Sequence, residues 1–468
     1  MTKLSSCTAA VCLLIVLLTG CTVGPNYKRP QADVPGLYRG LGEEDPTNTD
    51  AKSVGDEKWW ELFQDEQLQQ LIKTALEQNY DVRRAGARIL EAQAQLGIAR
   101  SNQFPTVSAA GTAVNERSPQ GKVLRPIETD AVQVGAQLNW EIDFWGKYRR
   151  ATEAARANLA ATEWGQREIK AELVANVASG YFTLRALDLQ LEISRHTLAS
   201  RQDSLRLTQV LANGGATSLL DVRQAEQLVF TAGSEIPTLE REIEQQENFI
   251  SILLGKNPGP VPRGHALTEQ PHAPQIPAGI PSALLERRPD IRQAEQALIA
   301  ANAEIGVARA QYFPQIGLTA SAGFQSSALT SLFTGPAGLW SFGPSVAQPI
   351  FTAGRLRSNV RLSEAQQQEA LLVYEQAIQG AFRDVSDSLV AYRKTQEFSE
   401  QQRQLVASAA DATRLSHLRY QGGATSYLEV LTNDTNYFNA QLGLVQGQLN
   451  ELLAMVQLYR GLGGGWQQ

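Results

Sequence analysis

The 468-residue chain repeats itself. Asp81, Arg83, Ala85, Ala92, Ala94, Gly97, Ala99, Arg100, Phe104 and Pro105 recur 209 positions later as Asp290, Arg292, Ala294, Ala301, Ala303, Gly306, Ala308, Arg309, Phe313 and Pro314. Farther on, Gly214-Gly215-Ala216-Thr217-Ser218 returns after 208 positions as Gly422-Gly423-Ala424-Thr425-Ser426, and Asp221-Val222 is answered by Glu429-Val430. Self-similarity at a fixed offset means that one supersecondary unit is used twice. Whatever one half builds, the other builds again. The one-residue change of offset falls between Pro105 and Gly214, and a connection between strands is the place for it. Residues 255–283 hold seven of the twenty prolines and read as the linker between the halves.

Each half is predicted to run helix, two strands, long helix, turn, helix. No proline interrupts Gly146 to Ala212, where Val177, Leu184, Leu191, Leu198 and Leu205 fall seven apart; Leu371, Ile378, Val385 and Tyr392 do the same later. A sustained spacing of seven predicts left-handed supercoiling against a neighbour. A helix of about 65 residues is roughly 100 Å long, far more than a globular core requires. After the first Gly-Gly turn, Val222, Val229, Ile236, Ile243 and Ile250 carry the spacing back, so each half holds a helical hairpin. Pro237 is expected to bend that return helix, at about 3 kcal/mol unless the bend is used.

The strands alternate. Val132, Val134, Ala136, Leu138, Trp140 and Ile142 form one face against Gln133, Gln137, Asn139 and Glu141, and Ile316, Leu318, Ala320, Ala322 and Phe324 alternate in the same way. Expected strands are about 105–116, 131–142, 314–326 and 340–351. Pro105 and Pro314 stand where a fixed φ and a missing N–H would turn a helix into a strand. Periodicity alone leaves two readings open, edge strands on a soluble core or membrane strands. Four strands cannot close a barrel, so membrane strands would have to be shared with copies of the chain.

Lys3 followed by an apolar run from Ala9 to Leu18 has the order of a secretory signal over residues 1–20. Leu18-Thr19-Gly20-Cys21 resembles a bacterial lipobox, with Cys21 as the lipidated new N-terminus and Thr22 after it as in outer-membrane sorting. Cleavage would remove Cys7 and Cys12, leaving Cys21 without an internal partner; a spare thiol is the alternative. Acyl chains add about 0.8 kcal/mol per buried CH₂. Past the N-terminus no apolar run reaches the length of a membrane-spanning helix. With 42 basic against 48 acidic residues the formal charge is −6, which argues against a nucleic-acid partner. His196, His265, His272 and His417 lie in unrelated contexts, no Walker A loop occurs, and carboxylate pairs on the helices read as solvated faces. No metal, cofactor or catalytic constellation is expected, and the chain does not read as an enzyme.

Several segments together resemble the TolC-like outer-membrane efflux family, in its lipid-anchored NodT/OprM-type branch. They are Cys21 to Tyr27 with Arg29-Pro30, Trp59-Trp60, Arg288-Pro289-Asp290, the two Phe-Pro junctions, Trp140 to Lys147, Gln348 to Phe351 with Gly354-Arg355, and Gly422 to Leu431. The resemblance implies a mainly α protein with a transmembrane β-barrel. Three copies would combine four strands each into a 12-stranded barrel standing on a long periplasmic α-helical coiled-coil tunnel. It further implies an outer-membrane, lipid-anchored duct reaching into the periplasm, docked to a periplasmic adaptor (membrane fusion protein) and an inner-membrane pump of RND type. Small molecules such as drugs would pass through it passively. Alternatives are a duct for protein secretion and, outside transport, a lipid-anchored coiled-coil scaffold without a pore. The corresponding division is a signal at 1–20, an anchored segment at 21–60, repeat 1 at 61–254, the linker at 255–283, repeat 2 at 284–460 and a tail at 461–468.

Polar residues beside the Gly-Gly turns are the candidate gate. Asp221 and Glu429 are repeat equivalents, one to two turns into the return helices, and on a threefold axis they would form acidic rings favouring cations; the other reading is a carboxylate stabilised by the helix dipole. Thr432 stands where relatives carry a further acid, and Asp434 is expected to point elsewhere. Tyr420, at the end of the second outgoing helix, is expected either to bond Asp221 as a latch or to pack on the turn. The turn residues Gly214, Gly215, Thr217, Gly422, Gly423 and Thr425 are the candidates for docking an adaptor.

Overall fold

The computed structural model describes residues 22–39, 53–118, 127–270, 279 and 281–466. The signal at 1–20, Cys21 and part of the proline-rich linker lie outside the described residues. The helices are α1 (Trp59–Leu62), α2 (Glu66–Gln78), α3 (Tyr80–Ser101), then, after β1 (Thr106–Ser118) and β2 (Ile127–Ile142), α4 (Lys147–Asn213) and α5 (Leu219–Leu253). The second half follows with α6 (Leu284–Arg287), α7 (Pro289–Ala310), β3 (Gln315–Ser326), β4 (Gly338–Ala347), α8 (Arg355–Gln421) and α9 (Tyr427–Gly461). The paired elements match in length: α4 and α8 have 67 residues each, α5 and α9 have 35 each, and α3 and α7 have 22 each. Among the described residues no helix is long and apolar enough to cross a membrane.

The four strands form one antiparallel sheet in the order β1-β2-β3-β4. Thr106 stands opposite Asn139 in the first ladder and Gln315 opposite Ala347 in the third. The first partner has moved by 209 positions and the second by 208, so the change of offset lies in the connection between the strands. Strand β4 ends at Ala347 and does not reach 351 as expected from alternation. Pro349 has no N–H for a ladder, and the Gln348 side chain donates instead to the Tyr312 carbonyl at 3.0 Å. Strand β2 begins earlier than the alternation suggests, at Ile127. Helix α5 is unbroken through Pro237.

The chain divides into two compact units. One comprises the described residues of Met1–Gln31 with Arg88–Glu163 and Gln293–Glu375; the other those of Ala32–Ala87, Trp164–Arg292 and Gln376–Gln468. In the first unit, helices α4 and α7 approach through Ala154, Ala157, Ala300 and Ala303. Residues from Thr22 to Arg29 lie along them as a strap. Val23 N–H donates to the Trp145 carbonyl at 3.0 Å, Asn302 to the Pro25 carbonyl at 3.0 Å, and Arg150 to Asn26 Oδ1 at 2.6 Å. Arg29 grips buried Glu295 with both ends of its guanidinium, at 2.6 and 2.7 Å. A Cβ on Gly24 would meet Gly306 Cα at 2.5 Å, and one on Gly146 would meet Thr22 Cα at 3.0 Å. The backbones are too close there for any other residue.

The second unit holds the main core, in which Phe63, Leu68, Ile72, Tyr181, Phe182 and Tyr459 pack together. Helix α2 shows why its sequence folds: Leu68, Leu71, Ile72 and Ala75 recur on one face and are buried, and Asp65 caps its first turn. Asp65 also accepts from Tyr181 Oη at 2.9 Å, the His265 N–H at 2.9 Å and Gln270 at 3.0 Å. Burial alone would raise this carboxyl, but the Gln270, Tyr181 and backbone donors outweigh it and hold its pKa below the ordinary value.

Candidate functional site: the turns of the two helical hairpins

Both outgoing helices end in the same way. Ala216 N–H reaches back to the Leu211 carbonyl at 2.8 Å, and Ala424 N–H to the Arg419 carbonyl at 2.8 Å, while Gly215 and Gly423 take φ of +71° and +70°. This is a helix stop that needs a left-handed residue, which glycine supplies without steric cost. Among the described residues, and apart from the adjoining ones, no heavy atom lies within 4 Å of a Cβ built on Gly215 or Gly423, so the turns are open.

The return helices then start on different polar arrangements. At α5, the Ser218 hydroxyl accepts from Asp221 N–H at 3.3 Å and Asp221 accepts from Ser218 N–H at 3.1 Å, a reciprocal capping box. The Thr217 hydroxyl also donates to Asp221. This bond, with those from Ser218, lowers the Asp221 pKa. At α9 the Ser426 side chain makes no cap bond. Glu429 instead accepts from the Thr425 hydroxyl and pairs with Arg419 at 2.8 Å. A cation beside Glu429 offsets part of the negative charge that sequence reading assigned to this position.

Tyr420 does not meet Asp221 directly within the chain. Its hydroxyl lies 3.5 Å from Thr217 Oγ1, so Thr217 stands between the phenol and the carboxylate. The ring packs beside Tyr427, centroids 5.3 Å apart, on a small cluster of Ala225, Tyr427 and Val430. Burial pushes the Tyr427 hydroxyl up to about 12.

Two features escaped the sequence reading. Asp434 accepts from His417 Nε2–H at 2.9 Å, and this bond raises the His417 pKa. His417 lies five residues before Gly422 and Asp434 eleven after Gly423, so counting outward from the turn does not find the pair. Arg201 is buried, donates to the Leu228 carbonyl at 3.0 Å and stacks over Phe438. Burial lowers its pKa. These groups, with His196 and Ser200, border a cavity of about 420 Å³. Among the described residues no group of three or more His, Cys, Asp or Glu side chains is arranged to hold a metal ion.

Known proteins resemble this chain over nearly its whole length. The family model described as outer membrane efflux protein matches residues 71–256 and 280–464, one segment in each repeat. The cation efflux system protein CusC of Escherichia coli is 34% identical over 466 residues, 99% of this chain and 100% of that one. The probable efflux pump outer membrane protein TtgC of Pseudomonas putida is 36% identical over 97% of this chain and 94% of its own. The crystal structure of the open state of the MtrE outer membrane channel of Neisseria gonorrhoeae superposes with a TM-score of 0.86 at 31% identity, covering 96% of this chain and 99% of that one.

Proposed function

Given that this chain belongs to the outer membrane efflux protein family and is the outer-membrane exit channel of a tripartite efflux pump, passively conducting small molecules, we propose that it works as a lipid-anchored homotrimer gated at its Gly-Gly turns. The observation that carries the trimer is the sheet. Among the described residues its order leaves one side of β1 and one side of β4 unpaired, and an open strand edge in hydrocarbon leaves N–H and C=O groups with no partner. Three copies of four strands give an even-numbered 12-stranded antiparallel barrel of ordinary size.

Lipid on Cys21 fits the strap. Thr22, the next residue, packs on Gly146 at the junction where β2 passes into α4, so acyl chains would leave the protein at the base of its strands. More than one chain suffices for stable anchoring. The two open turns at Gly214-Gly215 and Gly422-Gly423, with Thr217 and Thr425, offer the surface for a periplasmic adaptor, and an RND-type inner-membrane pump would supply the energy. Tyr420, Thr217 and Asp221 would form the latch, and Glu429 a ring tempered by Arg419. CusC is a cation efflux system protein and TtgC a probable efflux pump outer membrane protein, and small molecules are the cargo class common to both. Mass measurement of the detergent-purified protein together with planar-bilayer recording tests the assembly. A trimer that conducts ions is expected; a conducting monomer, or a trimer that never conducts, would overturn it.

A further inference from the structure

We propose that the cavity between the two helical hairpins is a binding site for a small organic carboxylate, held by Arg201 of α4 and Thr413 of α8 and seated against the ring of Phe438. All the residues that line it belong to the second compact unit.

The site starts from a cation that lacks an anion. Arg201 is 4% exposed. Its guanidinium donates to the Leu228 carbonyl at 3.0 Å and lies over the Phe438 ring, 5.1 Å from the centroid, but its Nε has no hydrogen-bond partner among the described residues. Burying a charge without a counter-charge is costly, and an unmade bond at a charged donor adds to that cost. The two carboxylates that border the same cavity are engaged elsewhere. Asp203 pairs with Arg206, and Asp434 accepts from His417 at 2.9 Å. Asp434 is near enough to favour the charged form of Arg201, yet burial outweighs it and lowers the Arg201 pKa.

A second unsatisfied group comes from the other hairpin. Thr413 lines the same cavity, and its hydroxyl is buried without a hydrogen-bond partner. Buried polar atoms in folded proteins are nearly all paired, so two orphans on one cavity, supplied by helices of different hairpins, mark a place for a ligand. An arginine Nε–H and a threonine O–H are both donors, and an ionised carboxyl is an acceptor with two oxygens. One oxygen for each donor satisfies both groups, and the bond to Arg201 is charge-assisted.

The remaining lining decides what carries the carboxylate. The cavity measures about 420 Å³, a size typical of small-molecule pockets and more than a lone inorganic ion fills. Phe438, Tyr437 and Leu207 give it an apolar wall. Phe438 is buried while His196 and Ser200 are exposed, so the floor is cationic and aromatic and the rim is polar. A compact apolar body bearing one carboxylate matches floor and wall together. A dianion such as phosphate would bring its second charge toward Asp203 and Asp434.

The two holding groups sit on different hairpins, so an occupant favours the arrangement in which they stand together. Thr413 lies about two turns of α8 before Tyr420. Resting on the gate proposed above, an occupied site is expected to favour the state in which Tyr420 reaches Thr217.

Para-fluorobenzoate is the probe, followed by fluorine NMR as it is titrated onto the detergent-purified protein. Saturable binding at millimolar concentration or below is expected, with the neutral analogue para-fluorobenzamide at least about tenfold weaker. Arg201→Gln should weaken binding of the benzoate at least about tenfold, as loss of a bond to a charged group predicts, and Thr413→Val several-fold. Arg195→Gln should leave it unchanged, since Arg195 is an exposed residue of the same helix that pairs with Glu240. No saturable binding, equal binding of the neutral analogue, or equal loss in Arg195→Gln and Arg201→Gln overturns the site. Where Arg201→Gln does not fold, Thr413→Val and the neutral analogue decide. Inorganic phosphate that displaces the benzoate at equal concentration overturns the organic class. In planar bilayers the benzoate should lower the conductance of the wild type and not that of Thr413→Val. Binding without a change of conductance overturns the coupling to the gate, and the gate itself is tested separately by its own variants at Tyr420 and Asp221.

Discussion

At the scale of single residues, two carboxylates related by the repeat have been given different surroundings. Asp221 spends its lone pairs on Thr217 and Ser218, while Glu429 faces Arg419. The pair with Arg419 is partly exposed and contributes little to stability, but it changes the local potential. Arg419→Gln should therefore increase cation preference, and Glu429→Gln should reduce it, as read from reversal potentials in a salt gradient; opposite signs would remove Glu429 from the conducting path. Asp65 belongs to stability instead. Asp65→Ala strands the Tyr181 hydroxyl and the His265 N–H, and a cost of about 3 kcal/mol is expected from lost bonds to a charged acceptor, measured by urea unfolding. Because the folded pKa of Asp65 lies below its unfolded value, its contribution is complete above the unfolded pKa and is lost as pH falls through the folded one. The gap between wild type and variant should close in acid.

At the scale of elements, the sheet is the part whose two faces do different work. Leu138 stands between Val107 and Ala320 on the apolar face, and Asn139 between Thr106 and Thr319 on the polar face. Leu138→Arg should impair assembly, since Arg facing lipid near the midplane costs about 2 to 4 kcal/mol per chain. Asn139→Arg should be milder. Heat-modified mobility of outer-membrane fractions ranks the two, and greater damage at position 139 would reverse the inside and outside faces. The long helices were readable from their spacing of seven and their lack of proline. Strand ends were less so, because alternation continues past Ala347 while Pro349 has no N–H to continue the ladder.

At the scale of the whole molecule, the proposed anchor and the proposed gate have separate tests. Cys21→Ser should abolish fatty-acid labelling while leaving the strap residues from Thr22 onward unchanged; label retained at the wild-type level would place the lipid elsewhere. Tyr420→Phe combined with Asp221→Ala should raise single-channel conductance and sensitise cells to large antibiotics, because both ends of the link through Thr217 are removed. If Thr217 is the joint, Thr217→Val alone should produce a similar rise. Normal trimer levels with unchanged conductance in the double variant would take this link out of the gate.

The sequence by itself determined the doubling, the helical hairpins, the alternating strands and the glycine turns, because each depends on local rules of spacing, φ and hydrogen-bond supply that act over a few residues. Duplication even carried the two offsets from which the ladders follow. Tertiary structure decided which polar groups meet. Thr217 standing between Tyr420 and Asp221, Arg419 on Glu429 and His417 on Asp434 all join residues across a turn or from different hairpins. Such pairings depend on the rotation of one helix about its axis relative to the next, which the packing of the hairpin core sets and no local spacing specifies. The strap is the same case at longer range: Arg29 reaches Glu295 only because α4 and α7 approach through alanines and glycines closely enough to leave a groove for it.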